Sequence, residues 1–151
     1  MAAPLGNRFW EMRSSHGRKP IFHDADEMWD AVCEYFTWVE ENPLKEEKLF
    51  AYQGEVTKET VSKMRAMTIA GMCLFLDISD ETWLDYCKRQ DFIGVTERIR
   101  KVIYDQKFTG AAADLLNANI IARDLGLADK PEAPKPSTDL TITIKRAARD
   151  D

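Results

Sequence analysis

Histidine and cysteine are scarce in this sequence, two and three among 151 residues, and their placement excludes more than their number. Cys33, Cys73 and Cys87 form an odd set with no C-x-x-C pair, so neither a disulfide framework nor a zinc site is expected. Each falls in an apolar periodic stretch, where cysteine acts as a small hydrophobe. His16 and His23 lie in or beside a polar stretch and suit solvated or DNA-facing positions better than catalysis. No G-x-x-x-x-G-K-[ST] phosphate loop and no G-x-S-x-G elbow occurs. Runs such as Glu40-Glu41 and Glu46-Glu47 read as solvated acids. The expectation is a non-enzyme with no catalytic residue, no metal and no cofactor. Long apolar runs are also missing: the longest, around Ile69 to Leu76, is too short to cross a bilayer. Met1 to Gly6 lacks the apolar core of a signal peptide, and a soluble intracellular protein without membrane contact is expected. A positive charge balance is lacking too. Lys and Arg number 21 against 26 Asp and Glu, a net −5, so any contact with nucleic acid must be local.

What is present is enough apolar material for a core, 44% hydrophobic residues with four Trp. That suits one domain, or two small ones sharing an oligomeric interface. Residues 1–22 read as a basic arm, in which Arg8, Arg13, Arg18 and Lys19 are opposed only by Glu11, with Gly6, Gly17 and Pro20 as breakers. Residues 23–93 read as a helical domain with a short hairpin. Asp24 caps the first helix with Glu27 three residues on. Met28, Val32, Tyr35 and Val39 then recur at helical spacing, widened by Trp29, Cys33 and Phe36, and Asn42-Pro43 ends the run. Between Glu46 and Met67 the pattern shifts to two short strands, with Leu49, Ala51, Val61 and Met64 around Tyr52-Gln53-Gly54. Lys58, Lys63 and Arg65 make this a second basic patch, or else a solvated strand face. Thr68 to Lys88 has the frame of a helix-turn-helix. Ile69, Met72, Cys73 and Leu76 form one face, Asp77 and Ile78 the turn, and Ser79 caps a second helix whose Trp83 and Tyr86 or Cys87 pack back. Asp77 stands where such turns usually hold Gly. The exposed face of the second helix carries Asp80, Glu81 and Asp85, with Lys88 and Arg89 only at its end, a poor surface for a major groove.

Residues 94–128 read as a long helical hairpin for oligomerisation. Val95, Ile99, Val102 and Ile103 start it, Phe108-Thr109-Gly110 interrupt it, and Leu115, Leu116 and Ile120 resume it as far as Ala122. Gly126 supplies a left-handed stop, and Ala111, Ala112 and Ala113 permit close helix approach. Residues 129–151 hold a proline-rich linker from Lys130 to Pro136. Beyond it Leu140, Ile142 and Ile144 alternate with Thr141, Thr143 and Lys145 as in a strand. A lone apolar edge of this kind is relieved when copies from several subunits close into a barrel; a disordered tail with accidental alternation is the alternative.

Three segments carry a family likeness: GNRFWEMRSSHGRKPIF, YQGEVTKETVSKMRAMTIAGMCLFLDIS and IYDQKFTGAAADLLNANIIARDLGL. They resemble the DNA-packaging small terminase subunit of tailed double-stranded DNA phages, the short-tailed headful-packaging type in particular, over about Ala2 to Leu127. The resemblance implies a mainly α protein with minor β that forms a closed, nonamer-like ring with a central channel. It implies recognition of a packaging-initiation site on concatemeric viral DNA, and recruitment of a large terminase subunit whose ATPase and nuclease it modulates. It implies work in the host cytoplasm during infection, outside the mature virion. On this reading DNA meets Arg8, Arg13, Arg18, Lys19, Lys58, Lys63, Arg65, Lys88 and Arg89. Self-association uses Ile99, Val102, Ile103, Leu115, Leu116, Ile120 and the tail strand Leu140, Ile142 and Ile144, which forms an intersubunit barrel. The tail cations Lys145, Arg146 and Arg149 meet the large subunit. A dimeric helix-turn-helix transcription regulator is the alternative, and it would want a basic recognition helix in place of Asp80, Glu81 and Asp85. A scaffold that contacts only protein is a third reading.

Overall fold

The structure, a computed structural model, describes residues 22–128. Its chain order is five helices with one hairpin between the first and second.

Helix α1, Ala25–Glu41, begins where the sequence predicts. The Asp24 carboxylate accepts from the Glu27 amide at 2.8 Å, and the Glu27 carboxylate accepts from the His23 amide at 2.8 Å. One free amide of the first turn and the amide just ahead of the cap are thereby satisfied. Its far end is closed by Asn42, whose amide and side-chain Nδ2 both donate to the Trp38 carbonyl, before Pro43 forbids continuation. Met28, Ala31, Val32, Tyr35 and Val39 are its buried face.

The hairpin is longer than the sequence suggested. Strand β1, Leu44–Tyr52, pairs antiparallel with β2, Glu55–Lys63, over nine residues each, from Leu44 opposite Lys63 to Tyr52 opposite Glu55. The two-residue turn takes Gln53 and Gly54 to φ of 50° and 86°; both positive values suit the twist of the flanking strands. Met64 and Arg65 fall beyond the second strand and belong to the body.

Two short helices follow, α2 (Ile69–Leu76) and α3 (Asp80–Lys88), capped by Thr68 and Ser79 through bonds from the amides of Gly71 and Thr82. Asp77 takes the left-handed conformation, φ 56°, in the turn position where glycine was missed in the sequence. Met72, Cys73, Phe75, Leu76, Trp83 and Tyr86 all turn inward. Burial pushes the Cys73 thiol up to about 12, and all three cysteines are free.

Helix α4, Ile93–Ala112, corrects the expected interruption at Phe108-Thr109-Gly110, because the helix runs straight through it. Gly110 is kept small by packing rather than by a break: a Cβ there would lie 2.8 Å from a methyl of Leu116 and 3.0 Å from the Met64 sulfur. The chain reverses later, at Asp114 with φ 57°, where the amides of Leu115 and Leu116 return to the Gly110 carbonyl. Helix α5, Ala118–Asp124, is only seven residues long and is capped by Asn117. Among the described residues the expected hairpin of long helices is thus one long helix and one short one. Gly126 ends the run in the left-handed conformation, φ 69°, as anticipated.

A second correction concerns Ile99 and Ile103. Both were assigned to a subunit interface, yet they are 0% and 2% exposed within a single chain. They join Tyr35, Phe92, Met28, Met72 and Val32 in one cluster where α1, α2, α3 and α4 meet. Periodicity marks a buried face and cannot say which molecule covers it. Val102 packs at the margin of the same cluster.

The segment joining the hairpin to α2 is gripped from both sides. Gln106 donates from Nε2 to the Arg65 carbonyl at 2.9 Å and accepts at Oε1 from the Met67 amide at 3.0 Å. Tyr35 Oη accepts from the Thr68 amide at 3.0 Å and donates to the Thr68 carbonyl at 3.3 Å. Burial raises the Tyr35 hydroxyl above its ordinary value, so it stays protonated and keeps both roles.

Ile99→Ala is expected to cost about 2–5 kcal/mol of folding stability, the usual range for truncating a buried aliphatic side chain, read from urea unfolding followed by far-UV circular dichroism. Unchanged stability with impaired self-association alone would return Ile99 to an interface.

Candidate nucleic-acid interface

Arg8, Arg13, Arg18 and Lys19 lie outside the described residues, but the point where their arm joins the body is fixed. Phe22 is 2% exposed, its amide donates to Tyr86 Oη at 2.8 Å, and its ring lies 5.7 Å from that of Tyr86. Tyr86 in turn packs on Phe92 at 4.7 Å. The anchor sits in the last turn of α3, two residues from Lys88. Phe22 and the end of α3, separate in the sequence, therefore share one neighbourhood.

Within it the two α3 cations differ. Lys88 is exposed. Arg89 is held by the protein: its Nε and Nη2 donate to the Asp91 carboxylate at 3.2 and 2.7 Å, and its guanidinium lies 4.6 Å from the Phe92 ring centre. Along the rest of α3, Asp80, Glu81 and Asp85 are exposed as expected, with Leu84 between them at 48%. That face would press carboxylates against phosphates.

The second basic patch changes character once the strands are paired. Lys58 meets Glu47 at 2.6 Å and Lys63 meets Glu46 at 2.7 Å, with Lys48 3.7 Å from the same Glu46 oxygen. The bond from Lys63 holds the Glu46 carboxyl below its ordinary range. Lys45, Lys48, Lys58 and Lys63 are matched by Glu46, Glu47, Glu55 and Glu59, four against four, so the two strands carry no net charge. Read along one strand the lysines look unopposed; the cross-strand register puts β1 glutamates beside them. Arg65, the third member of the patch, is 6% exposed. It donates from Nε to the Asn42 carbonyl at 2.7 Å and lies over the Trp38 ring at 4.8 Å, and burial lowers its pKa. It secures the base of the hairpin and is withdrawn from any phosphate.

Helix α4 carries cations that sequence reasoning passed over. Arg98, Arg100 and Lys101 are exposed, Arg98 lying 3.8 Å over the Trp29 ring and Arg100 6.0 Å from that of Trp83. The signal was available, since positions 98, 100 and 101 interleave the apolar residues 95, 99, 102 and 103 and must face outward.

The expected self-association residues separate into three groups. Ile99 and Ile103 are core. Leu115 and Ile120 are 61% and 65% exposed, while Leu116 is half-buried over Gly110. Leu140, Ile142 and Ile144 lie outside the described residues, as do Lys145, Arg146 and Arg149. Tyr104 and Phe108, 45% and 47% exposed, were not anticipated; their rings stack with planes 7° apart. The short α5 is tied back to α4 by the buried Lys107, which donates to the Asp124 carboxylate. Among the described residues no helix is long and apolar enough to cross a membrane, and no group of three or more His, Cys, Asp or Glu side chains could hold a metal ion.

Residues 17–133 match the model of the family described as DNA-packaging protein gp3. The chain is also 58% identical, over 149 residues, to the "Terminase, small subunit" of Salmonella phage P22, covering 99% of this chain and 92% of that protein.

Tyr86→Phe removes the acceptor of the buried Phe22 amide and is expected to cost about 1–3 kcal/mol. In a protease digest the variant should be cut sooner between residues 13 and 23 than the parent. Identical cleavage rates would show that Tyr86 does not anchor the arm.

Proposed function

The chain belongs to the DNA-packaging protein gp3 family and is a small terminase subunit of the short-tailed phage type, and from that premise we propose that it recognises the packaging-initiation site on concatemeric viral DNA as a homo-oligomeric ring. In this reading it acts in the host cytoplasm during infection, recruits the large terminase subunit, and modulates that subunit's ATPase and nuclease while itself catalysing nothing. The function in viral DNA packaging follows from the family; the division of labour within the chain is our own reading.

The observation that carries it is the Phe22–Tyr86 anchor. It fixes Phe22, the residue just after the net-basic segment, against the last turn of α3 on a protein whose total charge is −5. DNA affinity then arises from the arm and Lys88 in each copy, multiplied around a ring. Joining weak sites can raise binding by about 10² to 10⁴ without any strong single contact. The hairpin lysines Lys58 and Lys63 keep their glutamate partners and contribute little, and Arg65 and Arg89 serve the protein's own packing. Exposed Leu115, Ile120, Tyr104 and Phe108 supply apolar area for contacts between copies. A barrel of the strands containing Leu140, Ile142 and Ile144 closes the assembly. Lys145, Arg146 and Arg149 follow those residues in the sequence and are the proposed contacts for the large subunit. The acidic outer face of α3 disfavours the transcription-regulator reading.

Binding to packaging-site DNA should weaken steeply with salt, since each neutralised phosphate contributes roughly −0.9 to the log–log slope. Reversing the charge of Arg8, Arg13 and Lys19 should flatten that slope, whereas reversing Lys58 and Lys63 should change it little. Fluorescence anisotropy across a salt series checks both. A slope near zero, or one that the arm reversals leave unaltered, would remove the arm from the DNA interface.

A further inference from the structure

The β1–β2 hairpin is built as an arm. Its base is fixed by Arg65 and by the grip of Gln106 and Tyr35 on residues 65–68. Its shaft is braced by cross-strand bonds, Lys45 to Ser62, Lys58 to Glu47 and Lys63 to Glu46. Nine residues per strand give it a length of about 30 Å, and almost all of it is exposed. A hairpin standing alone is marginal in water, and this one carries large apolar side chains towards its tip: Leu49 at 71%, Phe50 at 45%, Tyr52 at 75% and Val56 at 65% exposed. With no net charge, it has no attraction for a phosphate backbone.

Residues directly opposite each other in an antiparallel pair share a face. The register therefore puts Phe50, Tyr52, Glu55 and Glu59 on one face of the distal half, with Lys48 as the only cation beside them. Among the described residues neither Glu55 nor Glu59 has a cation at ion-pair distance. The outer face of α4 presents the converse. Arg100, Tyr104 and Phe108 follow one another at four-residue steps, one line of a helix surface. Beside them Arg100, Lys101, Tyr104 and Asp105 surround a shallow hollow of about 440 Å³. Two carboxylates, two rings and a lysine on one element thus find two cations, two rings and a carboxylate on the other.

We infer that the hairpin tip of one copy docks on the outer face of α4 of the next copy. Glu55 and Glu59 meet Arg100 and Lys101, Lys48 meets Asp105, and Phe50 and Tyr52 cover Tyr104 and Phe108. Because the two surfaces are unlike, the contact is head-to-tail, the kind that closes rings. The inference rests on the self-assembly proposed above and adds which surfaces meet.

The test uses the full chain, with Glu55→Lys/Glu59→Lys and Arg100→Glu/Lys101→Glu as two variants and their combination as a third. All four positions are exposed, so far-UV circular dichroism should match the parent throughout. In sedimentation equilibrium each double reversal should weaken self-association by about ten-fold or more, because like charges then face each other. The combination, in which the signs are exchanged, should return to within about three-fold of the parent. If the parent oligomerises and both reversals leave it unchanged, or the combination fails to recover, the docking is overturned while self-assembly stands. That result is also expected if the tip serves a different protein. A parent chain that is monomeric throughout would defeat the self-assembly reading and the docking with it.

Discussion

The grip on residues 65–68 is the constraint on which the rest of the described structure depends. This short segment leaves β2 and enters α2, so its backbone polar groups would be buried without partners of their own. Gln106 of α4 satisfies one carbonyl and one amide, and Tyr35 of α1 satisfies another pair. Two side chains on different helices thereby converge on one loop. The same contacts fix α1 against α4, start α2 at Thr68, and set the direction in which the hairpin leaves the body. Loss of either side chain would leave buried groups unsatisfied, at about 1–3 kcal/mol each, and would release the arm.

Charge in this molecule is arranged locally, and pairing matters more than totals. An acidic chain can meet DNA only where cations stand without carboxylates nearby. The hairpin fails that condition because its four lysines are balanced by four glutamates on the same two strands, with Lys58 and Lys63 held by Glu47 and Glu46, and Arg65 and Arg89 fail it because they are bound within the protein. Among the described members of the proposed DNA-contact set, Lys88 is the one that stays exposed with no carboxylate at ion-pair distance. The cations of α4 stand among Glu97 and Asp105 and next to exposed rings, a mixture suited to protein better than to phosphate.

Much of the fold was legible in the sequence wherever local rules decide it. The cap at Asp24, the stop at Asn42-Pro43, the turn at Gln53-Gly54, the left-handed Asp77 and the stop at Gly126 each follow from the chemistry of one or two residues. Gly110 misled because a glycine in a helix marks either a break or a close approach, and only Leu116 and Met64 in space decide between them. Ile99 and Ile103 misled for a related reason, since an apolar stripe looks the same whether its own chain or a neighbour covers it. The basic patch of the hairpin dissolved because register is a relation between two strands. The juxtaposition of Phe22 with α3, across 64 residues of chain from Phe22 to Tyr86, has no local signature at all.

The central claim is that unlike surfaces on each copy meet so that weak, local DNA contacts are multiplied in a closed assembly. Native mass spectrometry of the full chain at micromolar concentration tests it most directly. The account predicts one dominant species of more than two chains that retains packaging-site DNA as a whole. A monomer or simple dimer, with or without DNA, would contradict it.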